Sequence, residues 1–256
     1  MKTVIGNWKM NVGTRESVAL ARGVLLALRG KKAIPETVVC PPFTALAEVR
    51  KIVARTHVAL GAQDLFWEDS GAYTGEISAR MLAEHGVSHV IVGHSERRAL
   101  FETDEMAGKK AAAALVAGLT PVICVGETAV ERKAESQAVV VKRQLVAALS
   151  PLKAKGKDRV LVAYEPVWAI GTGEPATPND AVAMHAFIRG FIAESFPSLT
   201  KRAQVLYGGS VDGTNAYAFL REKEVDGVLV GGASVKMKEF GDVLSAACEV
   251  IEKQGV

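Results

Sequence analysis

Cysteine is scarce in this chain of 256 residues, which contains three of them. Cys40, Cys124 and Cys248 are odd in number, lie far apart in apolar surroundings and form no C-x-x-C pair. This pattern excludes a disulfide framework and a cysteine zinc site, and it is typical of reduced thiols in the cytosol. We therefore expect a cytoplasmic protein without a bound metal.

The chain also lacks long apolar segments and an excess of one charge. Its longest uncharged run, 111–126, is too short to cross a bilayer and is broken by Gly118 and Pro121. Lys9 interrupts the first segment before a signal-peptide core forms, so we expect mature structure from the start and no secretion. With a net charge of +3 and well-mixed acids and bases, the sequence indicates neither a membrane nor nucleic acid as a partner.

One local charge cluster interrupts this even distribution. Lys153, Lys155, Lys157 and Arg159 follow one another at alternate positions. We interpret the cluster as a solvated loop.

Eight short apolar runs recur along the chain, each followed by a polar or glycine-rich turn and then by a helical pattern. They cover residues 3–5, 37–40, 58–60, 90–92, 121–125, 160–163, 205–207 and 227–230. Helix start signals stand at Thr103, before a helix predicted over 106–117, and at Thr177, before one predicted over 181–196. Repeated β-α units without a linker predict one α/β domain over residues 1–256 with a parallel sheet. Eight units favour a closed (β/α)8 barrel over an open doubly wound sheet.

Polar and glycine residues follow these strands at their carboxyl ends, where the active sites of such barrels lie. The carboxyl ends of all strands in a (β/α)8 barrel open onto one mouth. Lys9, His94 and Glu165 follow the first, fourth and sixth predicted strands, and glycine-rich turns follow the seventh and eighth. This combination predicts a catalytic site beside a phosphate-binding edge.

Glu165 ends the sixth predicted strand and is followed by Pro166 and the apolar segment 167–170, which glycines close. Two interpretations fit this pattern: a loop that buries Trp168, or a lid hinged on glycine. Under a closed lid the carboxylate would lose water, and this desolvation would raise its proton affinity towards that of a general base.

His94 precedes Ser95 and Glu96, which can open a short helix. A helix N-terminus disfavours a charged imidazole, so a neutral His94 would donate a hydrogen bond to a substrate oxygen. Taken alone, it also fits a core histidine.

Lys9 and Asn7 lie two residues apart, so an extended backbone would direct both to one side. There Lys9 would stabilise an oxyanion with Asn7 fixing its position, and the alternative is a surface lysine.

The glycine turns after the last two predicted strands suit a phosphate group. The backbone N–H groups of Ser210 and Gly232, beside Gly231 and with Gly171 from a closed lid, would cradle a dianion where a short helix begins. A Gly-x-Gly-x-x-Ala match at 171–176 is similar to a dinucleotide fingerprint, but prolines flank it and the next helix begins too late. We therefore expect no cofactor.

Together these segments resemble the triosephosphate isomerase family along the whole chain. The matching segments are 6–11, 92–98, 164–173, 207–211 and 230–234. The resemblance implies a TIM barrel that interconverts dihydroxyacetone phosphate and D-glyceraldehyde 3-phosphate through an enediolate, in glycolysis and gluconeogenesis. It implies that Glu165 moves the proton between carbons, that a neutral His94 polarises the carbonyl and shuttles a proton, and that Lys9 stabilises the enediolate. The lid would keep that intermediate from losing phosphate.

Two positions depart from the family pattern, and one loop predicts an interface. Many members carry glycine where this chain has Val12 and lysine where it has Glu174, which leaves the behaviour of the hinge open. The long connection 66–77 contains three aromatic residues, and an apolar loop of this kind marks an interface. The family pattern agrees, because it places Thr74 and Gly75 in the partner's site within a homodimer.

Two other classes of protein stay open. Another phosphate-binding barrel enzyme, such as a pentose-phosphate epimerase or an indole-glycerol-phosphate synthase, would share the glycine turns but need not carry Lys9, His94 and Glu165. A non-catalytic barrel should have lost at least one of these three. All three are present, which favours the isomerase.

Overall fold

In the computed structural model, which describes residues 2–170 and 176–255, eight strands close into a barrel. Neighbours in sequence pair in parallel, and the eighth strand pairs with the first. The strands are β1 Thr3–Asn7, β2 Glu36–Cys40, β3 Val58–Ala62, β4 His89–Val92, β5 Thr120–Val125, β6 Val160–Tyr164, β7 Ala203–Tyr207 and β8 Gly227–Val230. The predicted (β/α)8 barrel is confirmed, and each predicted strand overlaps an observed one.

Helices cover the outside of this barrel. Within the described ranges they are α1 Thr14–Leu28, α2 Leu46–Val53, α3 Ala79–Glu84, α4 Ser95–Leu100, α5 Asp104–Val116, α6 Ala129–Lys133, α7 Gln137–Leu149, α8 Pro178–Ser195, α9 Ala216–Leu220 and α10 Met237–Gln254. Both predicted helix starts are confirmed, because the Thr103 hydroxyl accepts from the backbone of Met106 and Thr177 forms a capping box with Asp180. None of the described helices is long and apolar enough to cross a membrane.

Alternation along the strands divides the side chains into two layers. One set faces the helices and forms the larger apolar core. The other set fills the barrel and includes Ile5, Cys124, Leu161, Ala163 and Leu206. Since successive strand residues point to opposite faces, the inward series of β6 continues from Leu161 and Ala163 to position 165. The register of the strand therefore directs Glu165 towards the barrel axis.

The barrel closes at its amino-terminal end with a polar layer. Arg159 donates from Nη1 and Nη2 to the two carboxylate oxygens of Glu36, at 2.9 and 2.7 Å. The same Nη2 donates to Oε1 of Gln204 at 2.6 Å, and the hydroxyl of Thr3 donates to Glu36 at 3.0 Å. Arg159 lies in the predicted loop before β6, but its partly exposed side chain is paired with the barrel floor and is not freely solvated.

Because of this polar layer, the free energy of unfolding depends on pH in the acidic range. Burial favours the protonated carboxyl, but the neighbouring His89 and Arg159 outweigh it and hold the pKa of Glu36 well below its ordinary value of 4.5. A carboxyl whose pKa is depressed by folding contributes stability above its unfolded pKa, and this contribution is lost as the pH falls towards the folded pKa. We expect the unfolding free energy to fall below about pH 4.5, and to fall less steeply in Glu36→Gln.

The dependence of the unfolding free energy on pH is measured by urea unfolding at pH 7, 5, 4 and 3. Circular dichroism follows the unfolding at one fixed protein concentration. Glu48→Gln is the matched control, because Glu48 lies on the surface and pairs with Lys51. It should follow the unmodified chain. Equal pH slopes for Glu36→Gln and the unmodified chain would contradict the assignment.

Candidate active site

A cleft of about 360 Å³ opens at the carboxyl ends of the strands. The sequence-predicted residues that line it are Asn7, Lys9, His94, Glu165, Ser210, Gly231 and Gly232. Gly171, the remaining predicted phosphate ligand, lies outside the described residues, as does Glu174. Side chains from β1, β4 and β6 thus meet the turns after β7 and β8 in one space, as the barrel topology requires.

Glu165 is 2% exposed, and its carboxylate is held by two groups of the turn after β4. Its Oε2 accepts from the backbone N–H of Ser95 at 2.9 Å, and its Oε1 lies 3.1 Å from Nε2 of His94. Its own N–H donates to the carbonyl of Val125 at 2.7 Å. This close approach needs glycine at position 126, where a Cβ would lie 1.7 Å from the carbonyl oxygen of Glu165. The carboxylate is fixed at the strand end, and no lysine or arginine of the described residues pairs with it.

His94 is the N-cap of α4, which confirms the predicted short helix. Its Nδ1 accepts from the backbone N–H of Glu96 at 3.2 Å. A nitrogen that accepts carries no proton, so the imidazole is neutral and bears its proton on Nε2. That nitrogen faces Glu165, and the N–H is therefore directed into the cleft.

Lys9 reaches the cleft, but its backbone does not have the extended conformation that we predict from the sequence. β1 ends at Asn7, and Lys9 adopts a φ of 50°, so the backbone turns here instead of continuing extended. Oδ1 of Asn7 accepts from the N–H of Lys9 at 3.1 Å, and Gln63 donates to the carbonyl of Lys9 at 2.9 Å. The ammonium lies 2.6 Å from a carboxylate oxygen of Glu96 and lines the cleft beside Gly231. These bonds fix the main chain of Lys9 on both sides.

The turns after β7 and β8 form the opposite part of the cleft lining. A 3-10 helix, Gly232–Val235, begins at the end of β8, as the sequence predicts. Its Ser234 hydroxyl lies within hydrogen-bond distance of the carbonyls of Gly231 and Asn7, at 2.6 and 3.1 Å, which ties the turn to β1. The N–H groups of Ser210 and Gly232 donate no hydrogen bond to the part of the chain that the structure describes. They are available to an anion.

Glu127 is a site residue whose function the sequence reasoning did not assign. It is fully buried after β5, and its Oε1 accepts from the hydroxyl of Tyr164 at 3.0 Å and from Nε1 of Trp168 at 2.8 Å. The guanidinium of Arg132 lies 4.9 Å from the ring centre of Trp168. These contacts anchor the 3-10 turn Val167–Ala169, which is the first part of the predicted lid. The signal was present, because Glu127 follows its strand as Glu165 does.

A buried ionic network supports the turn that carries His94. Lys110 donates to Asp64 and to Glu102, both at 2.7 Å. Glu102 also accepts from the backbone N–H of Gly93 at 2.5 Å and from Arg97 at 2.8 Å. No local sequence signal identifies this network, because its members come from α4, α5 and the segments that follow β3, β4 and α4.

The remaining histidines and cysteines stay outside the cleft lining. The four other histidines are absent from it, and the three cysteines are buried and free. Cys124 lies inside the barrel near the carboxylate, and burial, reinforced by the charge of Glu165, raises the pKa of its thiol well above the ordinary value. Within residues 2–170 and 176–255, no group of histidine, cysteine and acidic side chains is arranged to hold a metal ion.

This geometry defines a class of enzyme. A carboxylate without a cationic partner, a neutral imidazole that donates into the same space and free N–H groups at glycine turns suit proton transfer on a small anionic substrate. The chain is a (β/α)8-barrel enzyme of acid–base chemistry.

Comparison with known proteins identifies the family. The family model of triosephosphate isomerase matches residues 2–247. The triosephosphate isomerase of Roseiflexus sp. (strain RS-1) is 49% identical over 237 residues, covering 92% of this chain and 93% of the relative. That of Acidithiobacillus ferrooxidans is 47% identical over 247 residues and 95% of each chain, and that of Alkaliphilus oremlandii is 44% identical over 244 residues, covering 94% and 98%. The chain belongs to the triosephosphate isomerase family, whose members interconvert dihydroxyacetone phosphate and glyceraldehyde 3-phosphate in glycolysis.

The tautomer of His94 is directly measurable. We expect ¹⁵N NMR of histidine-labelled protein at pH 7 to show a neutral His94 that is protonated on Nε2. His185 is the internal control, because its Nδ1 lies 3.0 Å from the carbonyl of Glu224 and must donate to it. Burial also lowers the pKa of His185 to about 4, so its ring is neutral with the opposite tautomer. A His94 ring protonated on Nδ1 at pH 7 would contradict the geometry.

Proposed function

We propose that this chain interconverts dihydroxyacetone phosphate and D-glyceraldehyde 3-phosphate by proton transfer, with Glu165 as the base, His94 as the electrophile and Lys9 as the cation that stabilises the enediolate. The observation that carries the proposal is the 3.1 Å contact between Glu165 and Nε2 of His94 inside the cleft that Lys9 lines. A base and a neutral hydrogen-bond donor side by side can act on adjacent atoms of one substrate, a carbon and its neighbouring carbonyl oxygen.

The reaction then proceeds in four proton transfers, two through Glu165 and two through His94. Glu165 removes a proton from carbon 1 of dihydroxyacetone phosphate, the electron pair forms the carbon–carbon double bond, and the carbonyl oxygen becomes the enediolate oxygen. His94 donates its Nε2 proton towards that oxygen and takes one from the neighbouring hydroxyl. Glu165 returns its proton to carbon 2, which gives the aldehyde. To reach carbon, the carboxylate must leave the N–H of Ser95, which it accepts from at 2.9 Å without substrate.

The other polar residues of the cleft stabilise charge or hold the reacting groups in position. The ammonium of Lys9 faces the developing oxyanion, and its ion pair with Glu96 must loosen when substrate binds. Asn7, bonded to the N–H of Lys9, keeps that backbone in its turned conformation. Two neighbouring residues support these groups. Ser95 donates its backbone N–H to Glu165. Glu96 pairs with Lys9 through its carboxylate and donates its backbone N–H to the His94 ring.

The phosphate group of the substrate belongs at the glycine turns. We assign it to the backbone N–H groups of Ser210 and Gly232, beside Gly231 and with Gly171 completing the cradle from the lid. Ser210 supports this assignment, because its hydroxyl donates to the carbonyl of Ala169 at 2.9 Å and so connects the turn to the start of the lid. Closure of the lid would remove water from the enediolate.

The same chemistry includes no step that requires a cofactor. We infer a single barrel domain over residues 1–256, in line with strands that run from residue 3 to residue 230 around one closed sheet. We assign the protein to the cytoplasm, in glycolysis and gluconeogenesis, with the reduced cysteines in support. Its substrate partner is a phosphorylated three-carbon sugar.

We also propose a homodimer in which the connection 66–77 enters the partner's site. Its rings of Phe66, Trp67 and Tyr73 pack on one another, with centroids 4.1 and 4.7 Å apart, yet Tyr73 stays 44% exposed. Two further apolar side chains face solvent, Met10, which follows Lys9, at 96% and Phe101, which follows α4, at 90% exposure. Thr74 and Gly75 lie at the exposed tip of this connection. A partner that covers Met10 and Phe101 would also hold the Lys9 turn in place.

Shortening the base tests its role. In Glu165→Asp the carboxylate retreats by about 1 Å, so we expect turnover to fall on the order of 10²-fold while the fold and KM change little. A coupled spectrophotometric assay from glyceraldehyde 3-phosphate gives kcat and KM, and circular dichroism checks folding. Unchanged turnover in a folded variant would show that another group is the base.

The dimer has its own test. Deleting residues 66–73, or introducing Thr74→Arg, should give monomers with very low activity, because the Lys9 turn would lose its cover. Val116→Arg is the matched control, since Val116 is also exposed but lies on α5, and it should remain an active dimer. Analytical ultracentrifugation reads the mass. An intact chain that sediments as a fully active monomer would refute the proposal.

A further inference from the structure

A second cavity lies at the opposite end of the barrel, at the amino-terminal ends of β2, β3, β6 and β7. Its volume is about 660 Å³, against about 360 Å³ for the active-site cleft. Its lining includes the apolar residues Ile34 and Pro35, and the basic residues Arg159, Lys201 and Arg202 together with His57. Nothing in the isomerisation uses this end of the barrel.

The charges around this cavity do not cancel. Arg159 is neutralised by its two-point ion pair with Glu36. Lys201 and Arg202, in contrast, have no carboxylate partner among the described residues. Arg202 donates instead to the backbone carbonyls of Gly156 and Asp158, which are uncharged. Two full positive charges therefore remain at the rim.

The floor of the cavity presents donors and few free acceptors. The carboxylate of Glu36 already accepts from Arg159 and Thr3. Oε1 of Gln204 accepts from Arg159 at 2.6 Å, so the side-chain amide has its N–H₂ group left to donate. A surface that combines N–H donors with uncompensated cations selects an anion.

The walls add an apolar surface to this anionic preference. Ile34 and Pro35 line the cavity, and its volume lies within the range of ligand pockets, roughly 300–1,000 Å³. A bare phosphate would leave most of this space and both apolar side chains unused. The loop 153–159 reaches the cavity through Arg159, and Arg202 ties it to the rim through the carbonyls of Gly156 and Asp158.

We propose that the amino-terminal end of the barrel binds a phosphate-bearing organic anion larger than a triose phosphate, of the size of a nucleoside diphosphate. Its phosphates contact Lys201 and Arg202, and its organic part packs on Ile34 and Pro35. The site is separate from the catalytic mouth, which lies across the whole length of the strands. Binding there leaves the isomerisation machinery untouched.

An amide NMR titration of the intact isotope-labelled protein separates the two ends of the barrel. ADP and inorganic pyrophosphate are the probes, the first with an organic part and the second without. We expect ADP to shift amides in 57–59, 156–160 and 201–204 saturably, and pyrophosphate to shift the same amides with at least about tenfold weaker affinity. Shifts confined to the turns 208–211 and 231–233 would overturn the proposal, because they would place both anions in the active site. Equal affinities would overturn the assignment of an organic part.

Variants identify the cations. Lys201→Gln with Arg202→Gln removes both charges but keeps an amide that can donate to the carbonyls of Gly156 and Asp158, and it should weaken ADP at least about tenfold. The matched control, Arg15→Gln with Arg22→Gln, removes two exposed charges from α1 and should bind ADP as the unmodified chain does. Equal losses in both double variants would contradict a defined site.

Isomerase activity serves as the folding check. The kcat and KM of each folded variant should match those of the unmodified chain, since none of these residues lines the mouth. If the Lys201→Gln and Arg202→Gln pair does not fold, Lys201→Glu replaces it, because the Lys201 side chain makes no hydrogen bond or ion pair within the described ranges. Unchanged ADP affinity in folded Lys201→Glu would refute the proposal.

Discussion

The buried carboxylate of Glu165 is the constraint on which the mouth of the barrel depends. An ionised group at 2% exposure is unfavourable unless polar partners surround it, and the partners here are the N–H of Ser95 and the ring of His94. Both belong to the turn after β4, so α4 must begin where it does. The His94 ring in turn caps that helix through Glu96. One charge at the end of β6 thus fixes the conformation of a turn two strands away.

The parts of the site that follow from local chemistry could be predicted from the sequence. Eight short apolar runs define the strands, and alternation sends position 165 inward. A histidine before Ser95 and Glu96 suits an N-cap, and the structure has that cap. Glycine turns at the last two strands are followed by the expected short helix after β8. Each of these features depends on residues that are neighbours in the sequence, so each leaves a local pattern.

The parts that depend on distant residues could not be predicted. Lys9 turns into the left-handed region because Asn7 and Gln63 hold its backbone on either side, and Gln63 comes from the end of β3. Arg159 reads as a solvated residue in a basic run until β2 brings Glu36 beside it. Lys110 looks like any helix lysine, yet it bridges two buried carboxylates. Tertiary pairing decides these positions, and a single sequence does not display it.

The most direct measurement follows the transferred proton. Dihydroxyacetone phosphate is isomerised in D₂O, the aldehyde is trapped as it forms, and NMR reads the isotope at its carbon 2. Because the carboxyl of Glu165 exchanges its proton with solvent while the enediolate exists, we predict deuterium at that carbon in the intact enzyme and a near-complete loss of product in Glu165→Gln. Product formed by Glu165→Gln at an undiminished rate, with only the original hydrogen at carbon 2, would contradict proton transfer by this base.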